Sequence, residues 1–469
     1  MRCLSLMSVF HVAVGPAMGL VPASEKFLTD PDTGIFKREL SKLFNGELRN
    51  LQNLKAYASQ LDGEVEEHWK ESGTGQDPAS RARVGAWVFD LLSYSMGSVF
   101  WGRAGPFQKQ DFRTHLRLFI QSLEDLRNPI PWLIPSELVL ARAYVRNKID
   151  DAVREEAYGE LGAQKTTLFG HLARIYESLE VPREGFTDCH LVAIVGLMSN
   201  VINLITRAFC NIVGDPELMK MIVAELDALA EDKSPSSSSN LVIDVDRIRS
   251  SCPLLVATWY ELLRTIGDAP VTRGVYEDAL FAGKYQLKKG SIVMTPIHLH
   301  NFDKAIWGSD ADVFRPSRFL GEKGQPDKEL VKHLNVFGLP GMHQCPGRYL
   351  ALNMTLGLVA KTLLAFEIRP ASGDELEAGV LPKHKETMLG LPAMRRDPEV
   401  TVKRREGVDL GFEQPTIAVS THSAICSLNS AEQLAVNLAM LSRANRKLKK
   451  LRERVSRLSA ICGHFPPCR

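Results

Sequence analysis

The chain has few cysteines for its length, eight in 469 residues, and none stands in a C-x-x-C pair. Cys3, Cys189, Cys210, Cys252, Cys345, Cys426, Cys462 and Cys468 are scattered. That spacing argues against a paired-thiolate zinc site and a disulfide framework, and it makes a reducing compartment the default. Net charge is scarce too. A balance of +2 provides no global field to draw nucleic acid or an acidic substrate, so no nucleic acid is expected as a partner. No Gly-rich dinucleotide fingerprint is present. A run of about 18 uninterrupted apolar residues is also missing from the N-terminus: MRCLSLMSVFHVAVGPAMGLVPA carries Arg2, His11 and Pro16 and is not read as a transmembrane helix. A basic residue before a short apolar run is one mark of a cleaved signal peptide, but no A-x-A site follows. What remains is an ordinary globular composition, 45% hydrophobic and 24% charged, with material for a large core.

Chemistry concentrates in FGLPGMHQCPGRYLA, Phe337 to Ala351. Cys345 lies between two glycines and precedes an apolar, helix-like run from Tyr349 to Phe366. A thiolate near the start of that helix is favoured by the free N–H groups and the dipole, which suits a metal ligand. Gly341 and Gly347 remove side chains where backbone would run close beneath a flat cofactor, and they permit positive-φ turns. His343 and Arg348 add donors for carboxylates at the cofactor edge. Taken alone, a lone apolar cysteine is more often a small buried hydrophobe.

Upstream, PLLVATWYELLRT (Pro253 to Thr265) reads as a helix on which Glu261 and Arg264, three apart, share a face. Without context that pair is an ordinary surface salt bridge. Here Phe314-Arg315-Pro316-Ser317-Arg318-Phe319 follows. The ordered set of E-x-x-R, P-x-R-F and Phe…Gly-x-His-x-Cys-x-Gly-Arg resembles the cytochrome P-450 family. The resemblance implies a mainly α fold with small β-sheets, the cytochrome P-450 fold, over residues 36–407. It implies Cys345 as axial ligand to the iron of haem b, with Phe337, Gly341, His343 and Gly347 around it and Arg273 on a propionate. Glu261, Arg264 and Arg318 would form a buried structural triad behind the cysteine loop. One departure stands out: Gly338, Leu339 and Pro340 separate Phe337 from Gly341, where the family usually has two residues. The added residue would displace Phe337 from the sulfur.

Leu191 to Gly214 is a long apolar run, about 36 Å at 1.5 Å per residue, with Asn200, Asn203, Arg207 and Asn211 aligned on one helical face. The plain reading is a central helix with a polar contact line. The resemblance reading is the helix crossing the distal face of the haem, with Gly196, Ser199 and Asn200 where many members carry a glycine, an acidic residue and a threonine. Ser199 and Asn200 are then the catalytic candidates. An amide holds water but does not titrate near neutrality, and Asn there is similar to a branch that includes sterol hydroxylases and prostacyclin synthase. Oxygenation and rearrangement therefore both stay open.

Elsewhere, Leu40, Leu43, Leu48, Leu51, Leu54 and Leu61 return to one helical face, Trp87 to Phe100 is an apolar helix, and another helix runs from Ser136 to Tyr158 after a proline-rich break. Residues 231–241 are a polar serine-rich loop. Tyr285 to Leu287 and Ser291 to Thr295 alternate as strands, and His298 and His300 fall on one strand face as structural residues. Thr387 to Leu391 forms a second pocket-lining turn by resemblance. The early Trp and basic residue that the family tends to carry near the haem are not found; Lys37 and Arg38 are weak substitutes. Residues 1–35 read as a remnant N-terminal segment without a clear membrane anchor, in a chain shortened at that end. Residues 408–469 fall outside the resemblance. There a Ser430/Gln433 capping box precedes Leu434, Leu441, Leu448 and Val455, spaced by seven beside RANRKLKKLRERVSR. That basic amphipathic helix suits peripheral membrane contact or a coiled coil, with a solvated extension as the plain alternative.

The implied function is haem-thiolate monooxygenation of a small apolar organic substrate, such as a secondary-metabolite intermediate. Electrons would come from NADPH through a separate cytochrome P-450 reductase, at the cytoplasmic face of the endoplasmic reticulum by resemblance. The alternatives are a haem-thiolate isomerase or dehydratase needing no external electrons, a truncated non-catalytic remnant, and an interaction protein acting through the basic C-terminal helix.

Overall fold

The computed structural model describes residues 4–5, 14–22, 24, 28, 39–75, 80–154, 167–231, 245–267, 270–338, 344–371, 391, 394 and 396–405. Lys37, Arg38, Gly341, His343, Thr387 and the basic C-terminal helix lie outside them, as do residues 155–158 of the expected Ser136–Tyr158 helix. The described residues are mainly helical. In chain order they form α1 (Ser41–Arg49), α2 (Leu51–Glu71), α3 (Val84–Phe100), α4 (Gln110–Gln121), α5 (Ser136–Arg154) and α6 (Leu168–Ser178). There follow α7 (Arg183–Val213), α8 (Pro216–Glu231), α9 (Val245–Ser251), α10 (Pro253–Ile266) and α11 (Arg348–Ala365), with several single turns between the last two.

The architecture is built around α7. Its side chains are apolar on nearly every side, and Leu191, Ile194, Met198, Ile202, Ile205, Phe209 and Ile212 are buried as α3, α5, α8, α10 and α11 pack around it. Length and hydropathy would let this helix cross a membrane, but 72% of its most apolar window is covered by protein, which is the situation of a core helix. It starts earlier than the apolar run suggests, directly after Pro182. The polar first turns are held by partners: Asp188 is buried, pairs with Arg146 of α5 and accepts the Val21 N–H at 3.0 Å. Arg142 adds bonds of 3.0 and 3.2 Å to the carbonyls of Pro16 and Ala17, so residues 14–22 are strapped across α5 and α7.

Of the early leucines, Leu40, Leu48, Leu54 and Leu61 are buried and Leu43 half-buried, but Leu51 is exposed, and they do not lie on one helix. Asn50 takes an extended conformation and its Oδ1 accepts from the N–H groups of Gln52 and Asn53, at 2.9 and 3.3 Å, ending α1 and capping α2. Buried α3 carries Ser95 and Ser98, whose hydroxyls donate to the carbonyls of Leu91 and Tyr94, at 2.8 and 3.0 Å, so both hydroxyls are satisfied within the helix. A Cβ at Gly97 would lie 2.2 Å from Phe107, so only glycine permits this approach. The first N–H groups of α3 are capped from far along the chain, Asp397 accepting from Gly85 at 2.6 Å and Ala86 at 3.0 Å.

Three helices meet at Asp90. Arg113 of α4 grips it through Nε at 2.7 Å and Nη2 at 3.2 Å, and His68 of α2 bonds it at 2.9 Å. Burial pushes this carboxyl up, but the hydrogen bonds and charges of His68 and Arg113 outweigh that and hold it down at about 2. Lys361 of α11, buried, lies against Asp62 and reaches Glu66 of α2 at 2.8 Å.

The strands β1 (Leu4–Ser5), β2 (Arg81–Arg83), β3 (Val271–Val275), β4 (Ala279–Phe281), β5 (Tyr285–Leu287), β6 (Ile292–Thr295), β7 (Phe366–Pro370) and β8 (Glu399–Arg404) make small antiparallel sheets. Their orders are β1-β3-β6, β2-β8-β7 and β4-β5. Arg273 pairs with Val293 and Arg81 with Thr401. His298 and His300 depart from the expected strand. They lie in the helical turn Ile297–Asn301, which starts after Pro296. His300 bonds the His333 carbonyl at 2.6 Å, and His298 stacks on Phe302 at 4.3 Å.

Candidate functional site

The site begins where α11 does. Cys345 precedes the first turn, and its N–H donates to the Phe337 carbonyl at 2.9 Å, closing the loop between them. The sulfur receives the N–H groups of Gly347 and Arg348 at the head of α11. Burial pushes the thiol up, while those two donors and the Arg348 charge pull it down, with burial ahead. The donors around the sulfur are in place for the thiolate that metal coordination demands. Arg348 is buried, donates to the Cys345 carbonyl at 2.9 Å and lies over the Tyr349 ring at 4.4 Å. Its described partners tie the loop together and include no carboxylate.

Phe337 has φ +61°, followed by Gly338 at +77°. A bulky residue in that region stores strain. The ring stacks on buried Trp259 of α10, with centroids 6.5 Å apart. This links the cysteine loop to α10, which carries a densely bonded cluster. Glu261 and Arg264, one turn further along α10, are wholly buried and joined by two bonds of 2.7 and 2.8 Å. Arg318 brings its Nε within 3.6 Å of the same carboxylate, and the Arg315 N–H donates to it at 2.9 Å. Arg264 reaches the carbonyls of Asn301 and Ala311 at 2.8 and 2.7 Å. Arg318 holds Asp310 through Oδ1 at 2.9 Å and its carbonyl at 2.8 Å. The structure therefore brings Glu261, Arg264 and Arg318 into one cluster on and beside α10.

Arg273, on β3, is half-buried and donates to the Thr272 carbonyl at 2.8 Å. Burial lowers its pKa, and no carboxylate is among its described partners. On α7, Gly196 is exposed amid buried neighbours, and a Cβ there would meet nothing within 4 Å. Ser199 is half-buried and Asn200 exposed on the same face. Asn200 Oδ1 accepts the Leu391 N–H at 2.7 Å, and Asn203 Nδ2 donates to the Leu391 carbonyl at 2.8 Å. The polar seam on this helix is visible in the sequence; its partner at Leu391 is not. No three-residue metal cluster of His, Cys, Asp or Glu occurs among the described residues.

A thiol at the head of α11, an open patch on the central helix and a half-buried arginine with no carboxylate among its described partners are the parts a haem-thiolate site would use. The chain belongs to the cytochrome P450 family, whose family model matches residues 36–393. The chain is 28% identical to cytochrome P450 monooxygenase nodJ of Hypoxylon pulicicidum over 61% of this chain and 58% of that protein. Another monooxygenase, from Gibberella zeae, is 28% identical over 37% of this chain and 34% of its own. The chain thus spans little more than half the length of the first of these relatives and about a third of the second. Cytochrome P450 7B1 of Mus musculus is 24% identical over 73% of this chain and 68% of its own. A cytochrome P450 crystal structure superposes with TM-score 0.60 at 16% identity, covering 85% of this chain and 83% of the other, which fixes the fold. Membership implies haem. The residues fit it: a sulfur with prepared N–H donors, a helix face with no side chain at Gly196, and an available cation at Arg273.

Proposed function

We propose that this chain is a haem-thiolate monooxygenase that oxidises a small apolar organic molecule, with an intermediate of secondary metabolism as the substrate class. The observation that carries the reading is the Cys345 sulfur at the head of α11, receiving the Gly347 and Arg348 N–H groups. Haem bound through that thiolate supplies the redox chemistry, the sulfur donating electron density that favours O–O cleavage. Cys345, Arg273, Phe337, Gly341, His343 and Gly347 would hold it, Arg273 by pairing with a propionate. Trp259 of α10 packs on the Phe337 ring and so steadies the loop that carries Cys345, and the apolar flank of α7 would exclude water. Ser199 offers a hydroxyl that can pass a proton or hold a water, whereas Asn200 can hold water but not titrate.

Electrons are assigned to NADPH through a separate cytochrome P-450 reductase. A relative from Gibberella moniliformis is named as a bifunctional cytochrome P450/NADPH–P450 reductase, which supports that donor, and no Gly-rich fingerprint lies in these 469 residues. The cytoplasmic face of the endoplasmic reticulum, with peripheral contact through the basic C-terminal segment, is the matching location, and a soluble enzyme is the alternative.

The reduced carbon-monoxide difference spectrum of the purified protein and of Cys345→Ala tests the core of this reading. The red-shifted thiolate band should appear only with the cysteine; its absence from the unsubstituted protein ends the proposal. A second reading, a haem-thiolate isomerase or dehydratase, is favoured by the non-titrating Asn200. Turnover of an organic peroxide without reductase would support it, and turnover that requires reductase, NADPH and dioxygen would exclude it.

A further inference from the structure

Asn200 and Asn203 lie three residues apart on α7 and take hold of a single residue, Leu391, on a different part of the chain. The Leu391 N–H can only donate and its carbonyl only accept, so chemistry fixes both amides: Asn200 presents Oδ1, at 2.7 Å, and Asn203 presents Nδ2, at 2.8 Å. Two bonds to both ends of one residue fix its orientation as well as its place. The Leu391 side chain packs, partly buried, on the apolar core. Gly196, where a Cβ would meet nothing within 4 Å, lies one to two turns back along the same helical face.

We propose that Asn200 and Asn203 are positioning residues: together they clamp Leu391 as a fixed apolar wall beside the open face of α7, and that wall decides which ligands are retained. The assignment rests on the haem-thiolate reading for its ligand and on this chain's own hydrogen bonds for its geometry. It gives Asn200 a role that no proton transfer requires. An apolar wall already held in place contacts a bulky apolar ligand without first being ordered, whereas a very small ligand gains nothing from it.

Two measurements on the haem-loaded protein test this. In amide hydrogen exchange, the Leu391 N–H should be protected, and Asn200→Ala should speed its exchange roughly tenfold, the worth of one hydrogen bond. In spectral titrations, imidazole and 4-phenylimidazole both bind haem iron through nitrogen and differ by one ring. Asn203→Ala should weaken 4-phenylimidazole relative to imidazole by roughly fivefold and leave imidazole itself nearly unchanged. Asn203→Gln, which keeps the donor, should recover part of the discrimination. An unprotected Leu391 N–H, or an affinity ratio that stays constant or rises in Asn203→Ala, overturns the clamp while leaving the haem reading intact. Absence of the thiolate band in the unsubstituted protein overturns the haem reading and the ligand selection with it, while the exchange result still reports on the clamp.

Discussion

Arg264 and Asn200 mark two regions that treat polar groups in opposite ways. Around Arg264 every donor is used: Nε and Nη2 bind Glu261, Nη2 also reaches the Val313 carbonyl, and Nη1 serves Asn301 and Ala311. Nothing there meets solvent. Along the middle of α7, by contrast, Gly196 faces open space, Ser199 is half-buried and Asn200 remains exposed while gripping only one peptide. The first region is costly to alter, since a charge stripped of its partner stays buried. The second can change with little penalty to the fold. The costly polar cluster and the residues proposed to select ligands thus stand on different helices, α10 and α7.

The sharpest way to break that contrast is Arg264→Ala, expected to cost about 3–5 kcal/mol because buried Glu261 loses both short guanidinium bonds and keeps only the more distant Arg318 and the Arg315 N–H. Urea unfolding would measure it, and Arg264→Lys should rescue little, since three ammonium donors cannot replace a five-donor fork. Gly97→Ala is expected to cost about 1–3 kcal/mol through its collision with Phe107, read as a drop in thermal midpoint. Asp90 tests the buried network by pH. Its folded carboxyl at about 2 lies below the ordinary value of 3.8. Its contribution, at most about 2 kcal/mol, is fully present above the unfolded value and disappears as pH falls through the folded one. Asp90→Asn should flatten acid unfolding between those limits, and an unchanged profile would show that the carboxylate is not held by His68 and Arg113. Smallest and opposite in sign, Gly196→Ala should stabilise by about 0.5–1 kcal/mol, because a helix gains from alanine and no atom stands in its way. If it destabilises as Gly97→Ala does, the open face of α7 is closed in solution.

What could be read from the residues follows how local the cause is. The buried α7 and the apolar α3 announce themselves by composition, and the cysteine loop by its glycines. Boundaries fail where partners are distant. The polar start of α7 looks like a loop until Arg146 and Val21 are seen to satisfy Asp188. The leucine face across residues 40–61 hides the Asn50 cap, because periodicity carries on through a one-residue break. His298 and His300 alternate like a strand, but Pro296 starts a helical turn instead. Contacts such as Trp259 with Phe337, or Asn203 with Leu391, join positions no local pattern relates.

The cap that Asp397 places on α3 also sets an order of events during synthesis. Strand β2, just before α3, finds its partner in β8, and the first amides of α3 wait for the same late segment. While the chain emerges from the ribosome, this edge of the molecule stays unsealed until more than three hundred further residues have been made. A nascent chain halted before that point would display an unfinished sheet edge and a bare helix end, features on which chaperones and proteases act.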